Sequence, residues 1–190
     1  MPSRWKIFLL VGLFTIVADQ ATKLWARHDL PVVARAESHT CVIPDDIVDD
    51  DCHGKQVEVI DGFWHWRLSF NPGSAFGLFH SAAGARWFLS VVGILAVFGM
   101  AWMVRKARDN QTALIWALGL VAGGAIGNLI DRVYFGVVTD FVLWHYKRHE
   151  WPVFNVADVA LVIGVGLMFL DIYKDGKAEK AAKAAKAARG

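Results

Sequence analysis

The sequence predicts a mainly α membrane protein, a four-transmembrane-helix bundle with a small β-containing surface segment on the outer, periplasmic side. Three observations predict it. Four apolar runs, Trp5 to Trp25, Trp87 to Val104, Thr112 to Ile130 and Pro152 to Leu170, are 18 to 21 residues long, enough at about 1.5 Å per residue to cross a hydrocarbon core. Seven of the nine tryptophans (Trp5, Trp25, Trp87, Trp102, Trp116, Trp144 and Trp151) lie within a few residues of a run's end, where headgroups hold such rings. Eleven of the twenty basic residues cluster at the start of the first run, after the second and after the fourth, which places both termini in the cytoplasm. With 55% hydrophobic residues and a mean hydropathy of +0.36, residues 1–173 leave room for one integral domain and no separate soluble one.

Each element has its own signals. The first run opens on Arg4 and Lys6 as a signal peptide would, but it ends in Asp19, Gln20 and Lys23 with no small-x-small site after them, so it reads as a retained helix. The segment 27–84 carries nine acidic and four basic residues, which suits the outer side. Within it Trp64, Trp66, Leu68 and Phe70 alternate with His65, Arg67 and Ser69, a period of two that predicts a half-buried strand. That strand delivers Asn71 to a turn at Pro72 and Gly73. Cys41 and Cys52 are the only cysteines; in an oxidising periplasm they are expected to pair, closing a loop of about 12 residues worth on the order of 3 kcal/mol of local order. A short loop from Asp131 to Trp151 leads into the fourth run. Beyond it, residues 174–190 place a cation at every third position among alanines, so the charges wind around a helix without forming a face. This predicts a mobile basic cytoplasmic tail.

Function should be sought in the polar residues of the runs, because a charge at the centre of a membrane helix costs about 2.5 kcal/mol or more. Asp19 and Asp158 each lie six residues, about 9 Å, from the outer end of their runs, and Asn128, Asp131 and Arg132 reach the same leaflet. The inner halves carry no such groups, unlike an ion path. There is no H-E-x-x-H, and all seven histidines lie outside the runs, so no intramembrane metal site is expected. Ser90 is the only serine within a run, and no base is placed to activate it. Aspartates remain. Asp131, beside Arg132 and three residues from Asn128, reads as a structural ion pair. Asp140 and Asp158 sit among apolar residues without a basic neighbour; brought within a few ångströms, like charges would keep one protonated and one ionised, the pair needed to activate water and protonate an amide. Asn155, three residues before Asp158, is expected on the same helical face.

Asp19-Gln20-x-x-Lys23, Asn71-x-Gly73-x-Ala75-Phe76, Gly123-Gly124-x-x-Gly127-Asn128-x-x-Asp131-Arg132, Val138-x-Asp140-Phe141 and Phe154-Asn155-x-Ala157-Asp158 together resemble the ordered motif set of the lipoprotein signal peptidases, or signal peptidase II. The resemblance covers about Ile7 to Tyr173. It implies a bacterial inner-membrane aspartic peptidase, active near the periplasmic face as a monomer. The implied substrate is a diacylglyceryl-modified prolipoprotein, cut before its lipidated cysteine. Catalysis would fall to Asp140 and Asp158, with Asn71, Asn128, Arg132 and Asn155 holding substrate and dyad, Asp131 in support, and Asp19 and Lys23 structural. No cofactor, metal or nucleic acid is implied; the membrane lipid is the remaining partner. Pro72 and Ser74 depart from the residues commoner in the family, and about Ser38 to Gln56 looks like an insertion. The rival reading is a small polytopic transporter or channel.

Overall fold

The computed structural model describes residues 1–34, 41, 52–73, 82–108 and 110–187. Four helices carry the bundle: α1 (Ser3–Asp29), α2 (Ala82–Lys106), α3 (Thr112–Tyr134) and α4 (Val156–Ala187). All four are long and apolar enough to cross a membrane. The strands are β1 (Val32–Ala34), β2 (Cys52–Gly54), β3 (Val57–Ile60), β4 (Trp64–Asn71), β5 (Val138–Tyr146) and β6 (His149–Glu150). They form an antiparallel β1–β2 pair and an open antiparallel sheet in the order β3-β4-β5-β6. Cys41 and Cys52 form the expected disulfide. Most of the insertion, the Asp45 to Asp51 stretch and the motif residues Ser74, Ala75 and Phe76 lie outside the described residues.

The bundle is assembled around α3, the most enclosed of the four helices. Its glycines explain why, since without side chains they let other helices approach the backbone. A methyl group on Gly123 would meet Thr15 Cβ at 2.7 Å and the Gly12 carbonyl at 2.8 Å, and one on Gly127 would strike Asp19. On another face, a methyl on Gly124 would lie 2.6 Å from the Ala157 carbonyl of α4. Phe8, Val104, Leu114, Ile115 and Leu118 fill the end of the bundle where α1 starts. At the opposite end Ala26, Leu30, Leu68, Phe141 and Val142 join α1 to the sheet.

Three expectations change. The fourth helix starts at Val156 and not at Pro152, because Trp151 to Phe154 are drawn into the sheet: the Phe154 N–H donates to the Val142 carbonyl (3.0 Å), and that residue's N–H donates back to the Phe154 carbonyl (2.9 Å). Residues 138–146, expected within a loop, form the nine-residue strand β5. The basic tail continues α4 as a helix to Ala187, consistent with the high helix propensity of alanine and lysine. Its base is tied to the α2–α3 turn, where Arg108 meets Asp175 at 3.0 Å. The predicted strand over Trp64 to Phe70 is present as β4, with Leu68 in the cluster that joins α1 to the sheet and Trp64, Trp66 and Phe70 packed against it.

The close α1–α3 contact is testable. Gly123→Val should lower stability by about 1–3 kcal/mol through overpacking, whereas Gly166→Ala, with nothing near the added methyl, should not. Unfolding of the two variants in mixed micelles checks the difference.

Candidate active site

Asp140 and Asp158 come from different elements that meet where the sheet lies across the bundle. Asp140 is on β5, opposite Ser69 of β4, just past a bulge between Trp66 and Ser69. It is only 2% exposed. Asp158 is the third residue of α4.

Asn155 connects them. Its Nδ2 donates to Asp140 Oδ1 (2.6 Å), while its Oδ1 accepts from the Asp158 N–H (3.0 Å) and Asp158 Oδ2 accepts from the Asn155 N–H (3.2 Å). This is a reciprocal capping box: the N-cap side chain satisfies an otherwise unpaired helix N–H and the third residue returns the bond. Asn155 therefore precedes the helix and does not share a helical face with Asp158, a correction that follows from the later start of α4. The remaining carboxylate oxygens are also held. Asn128 Nδ2 donates to Asp158 Oδ1 (2.9 Å) and Asn71 Nδ2 to Asp140 Oδ2 (3.2 Å). Asn71 is aimed by its own turn, in which its Oδ1 accepts from the Gly73 N–H (2.9 Å) at a backbone φ of +97° suited to glycine.

Beneath the two carboxyl groups lies a buried charge cluster. Lys23 Nζ, 2% exposed, reaches Asp19 Oδ2 at 2.8 Å, Asn128 Oδ1 at 2.9 Å and Asp131 Oδ2 at 3.5 Å. Asp19 Oδ1 accepts from the Ala157 N–H (2.9 Å), so α1 helps cap α4. Asp131 accepts from the Thr139 N–H (2.7 Å) and Gln20 Nε2 (3.1 Å). The cation paired with Asp131 is thus Lys23, where Arg132 was expected. Adjacent helical residues point about 100° apart and cannot face one another. Arg132 instead donates from Nη1 to the Asn128 carbonyl (3.3 Å), with its charge in reach of Asp158, Asp140 and Asp131.

Electrostatics separates Asp140 from an ordinary surface carboxylate. Burial, and secondarily the charge of Asp158, raise its pKa to about 7, against the opposing effect of the hydrogen bonds from Asn71 and Asn155. Beside Asp158 opens an apolar cavity of about 310 Å³, lined by Trp144, Trp151, Phe154, Val159, Val162 and Ile163. Among the described residues no three His, Cys, Asp or Glu side chains gather to hold a metal ion.

The family profile of signal peptidase (SPase) II matches residues 11–174. The chain belongs to the signal peptidase II family. It is 36% identical over 175 residues to the lipoprotein signal peptidase of Pseudomonas putida, covering 90% of each chain. It is 40% identical to that of Ectopseudomonas mendocina, covering 91% of each. A solved bacterial membrane enzyme superposes with a TM-score of 0.69 at 27% identity, over 89% of this chain and 88% of the other. This member of the signal peptidase II family is a multi-pass protein of the bacterial inner membrane.

All nine residues expected at the site, Asp19, Lys23, Asn71, Asn128, Asp131, Arg132, Asp140, Asn155 and Asp158, lie in this one connected region. Sequence reasoning passed over Thr139, whose N–H, carbonyl and hydroxyl are all engaged here, and gave no role to the motif residue Gln20, which bridges Asp19, Asp131 and the Gly127 carbonyl. It also passed over Arg27. The overlooked signal is spacing, since Thr15, Asp19, Lys23 and Arg27 recur every four residues and form one buried stripe of α1.

Lys23 tests the cluster. Lys23→Met leaves two buried carboxylates without their cation and should cost about 3–5 kcal/mol. Unfolding in mixed micelles measures it; a loss below about 1 kcal/mol, as for an exposed pair, would contradict this placement.

Proposed function

We propose that this peptidase hydrolyses the signal peptide bond of diacylglyceryl-modified prolipoproteins with Asp140 and Asp158 as its catalytic pair. The observation that carries this reading is Asn155, whose side-chain amide donates to the Asp140 carboxyl group and accepts from the backbone N–H of Asp158, while its own backbone N–H donates to the Asp158 carboxyl group. The membership supplies the reaction class; the raised pKa of Asp140 supplies the acid. Asp140 keeps its proton below about pH 7, and Asp158 is the base. As water adds to the scissile carbonyl carbon, Asp158 takes a water proton and Asp140 gives its proton to the carbonyl oxygen, forming a gem-diol. When the C–N bond breaks, the leaving nitrogen takes the proton from Asp158 and a hydroxyl proton returns to Asp140. The pair ends in its starting state, and no cofactor is consumed.

Asn71, Asn128 and Asn155 orient the pair, and Arg132 adds positive charge for the developing oxyanion. Lys23, Asp19 and Asp131 hold the framework, with residues 1–173 as the peptidase domain and residues 174–190 as a basic extension. The arrangement of basic residues supports cytoplasmic termini, which would set the pair near the periplasmic face. The apolar cavity beside Asp158 then offers the substrate a route from the bilayer with its acyl chains still in lipid. Below Asp19 the packed face of α1 carries Thr15, Val11 and Phe8, a run with no continuing charged chain for an ion to follow.

Purified variants decide the reading. Asp140→Asn and Asp158→Asn should each cut turnover by about 10²–10⁴-fold or more, with the double variant little worse, because a unit loses its function once. Asp131→Asn should retain measurable turnover while losing stability. An unlipidated precursor should be a poor substrate beside the lipidated one. Near-normal turnover by either member of the pair would remove the mechanism; equal cleavage of both precursors would remove the lipid requirement.

A further inference from the structure

Arg27 is a buried cation for which the proposed chemistry has no role. It lies at the outer end of α1, 7% exposed, one helical step beyond Lys23 on the stripe that begins at Thr15. Its Nε donates to Thr139 Oγ1 at 2.8 Å. Its guanidinium carbon stands 3.6 Å from the Phe135 ring centre and 4.9 Å from that of Phe70. A planar, weakly hydrated guanidinium tolerates such burial by stacking on rings, which a compact ammonium does not do.

The residues it touches come from three directions. Phe135 caps α3, its N–H bonded to the Asp131 carbonyl (2.8 Å). Phe70 is the cross-strand partner of Thr139 on β4. Thr139 immediately precedes Asp140, and its backbone is gripped on both sides: its N–H donates to Asp131 (2.7 Å) and its carbonyl accepts from Asn155 (3.3 Å). The hydroxyl is the third attachment. Once it is fixed, the peptide carrying Asp140 can neither slide along β4 nor turn about the strand axis. We infer that Arg27 is a positioning residue for Asp140, acting through the Thr139 hydroxyl to hold β5 in the register that presents this carboxyl group to Asn155 and Asp158.

The inference rests on the reading of Asp140 as catalytic and deepens it. Arg27 touches no reacting atom, so its loss should lower kcat and leave KM alone, as expected when a group is misplaced by a fraction of an ångström to an ångström.

The test is a double-mutant cycle on the purified full chain with a lipidated precursor, assayed well below the unfolding temperature of every variant. R27Q and T139V should each lower kcat about 10- to 100-fold with KM within about twofold, and the double variant should be no worse than the weaker single, because the two act as one contact. T139S, which keeps the hydroxyl, should recover most of what T139V loses; R27K, which keeps the charge without the plane, should recover little. Wild-type kcat in T139V overturns the inference, and so does a double variant whose losses multiply. An R27Q chain that fails to fold leaves the T139V and T139S comparison to decide. D140N and D158N are run alongside. If both are inactive while R27Q and T139V are normal, only the role of Arg27 falls; if D140N is active, the catalytic reading falls instead.

Discussion

The first turn of α4 begins inside the protein, under the sheet, where its free N–H groups have little water to bond. An unpaired buried backbone group costs about 1–3 kcal/mol, so this helix start requires side-chain acceptors. Asn155 supplies one to the Asp158 N–H and Asp19 supplies one to the Ala157 N–H. Much of the site follows from that requirement. The amide that caps the helix has a free donor end, and the nearest acceptor in that direction is Asp140. The requirement to end a helix cleanly and the requirement to hold two carboxyl groups together are met by one asparagine.

Capping with Asp19 creates a second demand, because a buried carboxylate must itself be compensated. Lys23, one turn along α1, does so and extends to Asn128 and Asp131. Asn128 in turn holds Asp158, and Asp131 holds Thr139. The glycines of α3 are what allow this, since Gly127 brings the backbone directly against Asp19. Packing in the bilayer and placement of the acid groups are therefore the same structural fact, and a bulky residue on this seam would disturb both.

The spans were legible because length and apolarity are local properties that the bilayer imposes on a helix. The strand at Trp64 was legible because apolar and polar residues alternate along it, although His65 of the polar set is itself buried. Strand β5 was not, since residues 138–143 are all buried and an apolar run without alternation does not reveal its period. The candidate site residues were legible as expensive polar groups and as motif positions, but their connections were not. The contact between Asp19 and Ala157 spans 138 positions, and no spacing rule reaches that far. The pairing of Asp131 with Lys23, where adjacent Arg132 was expected, shows the related error: proximity along a helix is not proximity in space. Arg27 was hidden because an arginine just past an apolar run looks like an ordinary interfacial charge.

The central claim is that one of two closely held carboxyl groups keeps its proton at near-neutral pH, and that this group is Asp140. Infrared difference spectroscopy on the purified protein, titrated through the neutral range, measures it directly through the carbonyl stretch of a protonated carboxylic acid. The account predicts a band that disappears with a midpoint of about 7, is absent in Asp140→Asn and persists in Asp131→Asn. A band that titrates away in the ordinary range of aspartate, near about pH 4, or one that survives in Asp140→Asn, would contradict it.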